Sequence, residues 1–162
     1  MKRLVSTASL VLISNLSSTA ALNAYAPVKL SISSQSYDPR LFGTWEVHTV
    51  VVDSDCKYVR EGLSSKSKLN FSLINGKLAP KWYGHDWDLV ANKLFKLSDN
   101  DKLLWVRENR LRKGKHIWLA KSTDVFDIQN DDYIVAESEI EQYLNGRYAG
   151  DYKTISYLKK LG

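Results

Sequence analysis

The sequence predicts an all-β protein, an antiparallel up-and-down barrel of about eight to nine strands, on two observations. From Pro39 onward apolar and polar residues alternate with a period close to two, the pattern of half-buried strands. Tight-turn sequences punctuate the alternating runs, including two Asn-Gly pairs at Asn75-Gly76 and Asn145-Gly146. Asn-Gly suits a type I′ hairpin, because both central residues of that turn need positive φ. Many short strands joined by tight turns fold as a sandwich or a barrel.

The strand domain is expected to span residues 39–162 of the 162-residue chain. Residues 1–26 read as a secretory signal peptide: Lys2 and Arg3, an apolar run over residues 4–13, then small residues that place cleavage near 20–26. The run is too short for a membrane-spanning helix. Residues 27–38 are serine-rich and read as a flexible N-terminal tether. These features predict a secreted or periplasmic protein. Removing the leader lowers the formal charge from +5 to +3, which does not by itself argue for nucleic acid as a partner. Cys56 is the only cysteine, so no internal disulfide staples the domain; a lone exported cysteine can pair between chains, and a buried or unreactive thiol is the plainer expectation.

Along the domain, Gly43, Trp45, Val47, Thr49 and Val51 share one face of the first strand. The long stretch over residues 53–67 reads as a loop. Leu69, Phe71 and Leu73 lead into the first Asn-Gly turn, and Pro80 beyond it marks an edge or an irregularity, since proline donates no ladder hydrogen bond. The "YGHDWD" stretch is a turn. Leu103, Trp105 and Arg107 share one face of a later strand. "HIWLA" and "DVFDI" read as two further strands. A long strand then places Ile134, Ala136, Ser138 and Ile140 on one face and Glu137, Glu139 and Glu141 on the other, with Lys153 a candidate cation for the glutamates. The closing "SYLKKLG" reads as a short turn of helix.

The segment Phe42-Gly43-Thr44-Trp45 resembles the Gly-x-Trp that opens the first strand of calycin barrels, the lipocalins and avidin-like proteins. The resemblance implies that Trp45, admitted by Gly43, plugs a closed barrel end under a basic side chain from a late strand, with Arg147 or Lys153 as candidates. Thr123-Asp124 matches the first two residues of the Thr-Asp-Tyr that lipocalins carry in a late turn, with Val125 in the third place.

For function, the three histidines fall in no nucleophile–base pattern. His85, Asp86 and Asp88 read as a turn with solvated acids rather than a metal site. No phosphate loop, dinucleotide fingerprint or zinc spacing is present. The expectation is a non-enzymatic protein without a cofactor or metal. Five tryptophans are many for this length. Trp82 and Trp87 flank a turn at a barrel end and are the leading ligand-binding candidates, with Trp105 and Trp118 beside them. Arg107, Arg110, Arg112, Lys113 and Lys115 form the densest positive patch, an anion-patch candidate whose plainer reading is a charged hairpin tip. The predicted function is binding of a small apolar or amphipathic ligand. The alternative is an exported inhibitor or protein-interaction module that uses the tether or a loop.

Overall fold

The computed structural model describes residues 37–96 and 102–162. The signal-peptide assignment and all but the last two residues of the tether lie outside them. A 3₁₀ turn at Pro39–Leu41 leads into eight strands: β1 (Gly43–Ser54), β2 (Ser64–Ile74), β3 (Lys77–Tyr83), β4 (Asp88–Lys96), β5 (Lys102–Lys113), β6 (His116–Asn130), β7 (Tyr133–Leu144) and β8 (Arg147–Leu161). They form one antiparallel sheet in the order β3-β2-β1-β8-β7-β6-β5-β4. Pairing of β8 with β1, Trp45 opposite Lys160 and Val47 opposite Leu158, rolls the sheet into a nearly closed barrel. The remaining gap lies between β3 and β4, which do not pair.

Both predicted Asn-Gly hairpins form, with positive φ at Asn75 and Gly76 (53° and 74°) and at Asn145 and Gly146 (51° and 78°). Pro80 marks an edge: β3 pairs only with β2. The other free edge carries a register shift between Leu89 and Ala91. A proline on one edge and an irregularity on the other are the usual means by which proteins keep unpaired strands from templating aggregation.

Among the described residues the strand count is eight because "HIWLA" and "DVFDI" are one strand. Lys121 and Thr123 point out and Ser122 points in, so the alternation continues unbroken through β6. The same alternation corrects the C-terminus: "SYLKKLG" is not helical but the end of β8, with Ser156 and Leu158 buried and Tyr157 and Lys159 out. The expected pairing forms at one glutamate, Lys153 Nζ lying 3.2 Å from Glu139 Oε1, while Glu137 and Glu141 stand opposite Ile155 and Asp151 of β8.

The interior has two halves. The lower half is packed solid by Leu41, Trp45, Leu69, Phe71, Leu103, Trp105, Phe126, Ile134 and Leu158. Trp45 is fully buried and donates its indole N–H to Leu41 O at 2.9 Å. Tyr37 packs against the same cluster, and Asp38 caps the 3₁₀ turn. The cation over Trp45 is neither Arg147 nor Lys153. It is Lys160, whose Nζ lies 5.2 Å from the ring centroid and donates to Arg40 O at 2.9 Å. Arg147 opens β8 at its far end and Lys153 lies mid-strand beside Glu139; both are exposed. Gly43 permits this arrangement: its φ is +122°, and a Cβ there would come within 3.3 Å of Lys160 Cε.

Candidate functional site

The upper half of the barrel encloses a cavity of about 380 Å³. Short side chains leave the space open. Thr49 from β1, Ser122 from β6, Ser138 from β7 and Thr154 and Ser156 from β8 sit at inward positions that large apolar residues fill lower down. Val51, Phe126, Ala136, Ile140 and Leu158 supply apolar wall. The lining is therefore amphipathic. Thr49 and Ser156 share a 2.7 Å hydrogen bond, whereas Ser122 Oγ is buried without a partner among the described residues.

The strongest feature of the wall is charged. Arg107 of β5 donates from Nε to Asp124 Oδ2 at 2.6 Å and from Nη2 to Oδ1 at 3.4 Å. The Asp124 side chain is 2% exposed and that of Arg107 16%. The guanidinium also faces two indoles, its Cζ lying 4.9 Å from the Trp105 centroid and 5.3 Å from that of Trp82. Those two rings are nearly parallel, 8° apart with centroids at 6.4 Å, so Trp82 of β3 reaches across the unpaired gap to the β5 side of the barrel. Both indole N–H groups are buried without a hydrogen-bond partner among the described residues.

Two segments border the mouth. The β3–β4 turn brings Gly84, His85 and Trp87 to the cavity. His85 Nδ1 accepts from the Trp87 backbone N–H at 3.1 Å, which leaves its proton on Nε2. Burial, followed by the nearby Arg107 charge, lowers the His85 pKa from its ordinary value and favours the neutral ring. The β1–β2 loop, residues 55–63, straps the other side and contributes Val59 and Leu63. It is tied down by Asp55 N–H to Asp151 O at 3.1 Å, Lys57 N–H to Ala149 O at 3.0 Å and Cys56 Sγ to Gln142 Oε1 at 3.3 Å. Gly150 makes this approach possible: a Cβ there would stand 2.5 Å from Cys56 Cα. Cys56 is buried as expected. Tyr152, also at the cavity, has its pKa pushed up to about 12, chiefly by burial, and keeps its hydroxyl proton.

Of the sequence candidates, Trp82 and Trp87 line the cavity. Trp105 is fully buried below it and meets it only through Trp82 and Arg107. Trp118 does not line the cavity; it is half-buried, edge-on to Tyr58 of the loop at 4.9 Å. The anion patch loses Arg107, because odd-numbered positions of β5 face inward, while Arg110, Arg112, Lys113 and Lys115 remain exposed. Thr123-Asp124 lies within β6, not in a turn. Asp124 is the residue that sequence reasoning missed, although Ala120, Phe126 and Ile128 share its face and mark it as inward. Among the described residues no group of three or more His, Cys, Asp or Glu side chains is placed to hold a metal, and no helix is long and apolar enough to cross a membrane.

No protein-family model and no curated protein matches the sequence. One solved structure that it matches is described as "Structure of EF1p2_mFAP2b bound to DFHBI", at 10% identity and a TM-score of 0.42 over 75% of this chain and 94% of that one.

Proposed function

We propose that this chain is an exported, non-enzymatic barrel of calycin-like type that binds a small amphipathic molecule in its upper cavity. The observation that carries the reading is the cavity itself: about 380 Å³, within the range of small-molecule sites, with apolar walls and a few convergent polar groups. An interior packed shut beside Trp82 and Trp87 would have favoured the interaction-module alternative. The mixed lining narrows the expected ligand from apolar to amphipathic. Export rests on the leader pattern of residues 1–26, and the calycin likeness on Gly43, Trp45 and the Lys160 cation above the indole.

The test is fluorescence titration with the amphiphilic dye anilinonaphthalene sulfonate. Binding is expected to enhance and blue-shift the dye and to quench tryptophan emission, and Trp82→Ala to weaken both changes. An unresponsive protein at saturating dye contradicts the proposal.

A further inference from the structure

Resting on the reading that the upper cavity holds a small molecule, we propose that the ligand's polar end is a carboxylate, received by the free donors of Arg107 with Trp82 and Ser122 beside it. The argument is an accounting of donors and acceptors. Among the described residues Asp124 is the only acidic side chain lining the cavity, and it is already paired with Arg107. The two indole faces that would attract a cation, Trp82 and Trp105, already face the same guanidinium. A cationic ligand therefore meets no uncompensated counter-charge.

Beyond the Asn109 amide and the hydroxyls, which can donate or accept, what the wall still offers is donors. Arg107 has five N–H groups, of which Nε and one on Nη2 are directed at Asp124. Trp82 Nε1 and Ser122 Oγ are buried at the wall without partners among the described residues. The Tyr152 phenol keeps its proton, and His85 presents Nε2–H at the mouth. Lys66 borders the cavity but stands opposite His48 on the exposed face of β2, so the charge inside the wall is that of the Arg107–Asp124 pair. A carboxylate contributes acceptors only and matches the planar fork of an arginine whose remaining N–H groups are unused. Its apolar body would lie against Val51, Phe126, Ala136 and Ile140.

The experiment displaces bound anilinonaphthalene sulfonate from the full chain with four probes of one chain length: octanoate, octanamide, octanol and octylamine. Octanoate is expected to displace the dye at a concentration about tenfold or more below that of octanol, with octylamine weakest. In the double variant Arg107→Gln/Asp124→Asn, which leaves no buried charge unpaired, the octanoate-to-octanol ratio is expected to collapse toward one. Trp82→Phe, which keeps a ring and removes the N–H, is expected to reduce the ratio, and it keeps the test decisive where the double variant fails to fold. Equal displacement by octanoate, octanamide and octanol, or a preference for octylamine, overturns the carboxylate assignment and leaves the cavity reading intact. A protein that binds neither dye nor probe overturns both.

Discussion

The two halves of the barrel interior are built by the same strands and behave as different materials. In the lower half, inward positions carry Trp45, Val47, Leu69, Phe71, Leu103, Trp105 and Ile134, each no more than 2% exposed. A few residues farther along, β1 places Thr49, β6 places Ser122 and Asp124, β7 places Ser138 and β8 places Thr154 and Ser156 at equivalent inward positions. The strands run continuously through both halves. Side-chain size and polarity turn a packed core into an amphipathic cavity, and the difference teaches that stability and binding are divided along the barrel axis.

That division is broken most directly by cutting into the lower half. Trp45→Ala removes a fully buried indole and its hydrogen bond to Leu41, and is expected to cost about 3–5 kcal/mol of unfolding free energy in a urea titration. Asp124→Ala comes next and shows where the upper half is also structural. It strands the buried Arg107 charge, with an expected loss of about 3 kcal/mol. Lys160→Met, which removes the cation over Trp45 and the hydrogen bond to Arg40 O, is expected to cost about 1 kcal/mol. Thr154→Val, on the cavity wall, is expected to change stability by less than about 1 kcal/mol while altering ligand affinity. A Thr154→Val loss as large as that of Trp45→Ala would erase the distinction between the halves.

The smallest expected effect is a pH dependence at the mouth. The folded state holds the His85 pKa below its ordinary 6.5, so the unfolded chain binds the proton more readily. Its contribution is therefore constant well above pH 6.5 and turns unfavourable as pH falls from there through the folded-state value. Urea midpoints measured across that window should decline slightly in the native chain, and less in His85→Gln.

Much of the fold was legible because a period of two is read without tertiary information. The Asn-Gly hairpins, the Pro80 edge, the inward face of β1 and the Glu139–Lys153 pair all follow from local rules. Sequence and structure part where residue type competes with alternation. Ser122 between two apolar runs suggested a break, yet an inward serine leaves room for a cavity without ending a strand. Lys160 falls in the segment that reads as a turn of helix, and its inward position is set by the register of β8 against β1. Arg107 was counted with its basic neighbours, although it shares the inward face of Leu103 and Trp105. The Arg107–Asp124 pair spans two strands, and its register is fixed by the β5–β6 pairing, which places Trp105 opposite Asp124 and Arg107 opposite Ser122. No local pattern states that register.

The central claim is that only the upper half is open to a ligand. Indole N–H resonances report on it directly, since Trp45 marks the packed end and Trp82 the cavity wall. On titration with anilinonaphthalene sulfonate, the Trp82 resonance is expected to move in proportion to occupancy while that of Trp45 stays fixed. Trp45 shifting as far as Trp82, or Trp82 staying still while the dye binds elsewhere, would contradict the account.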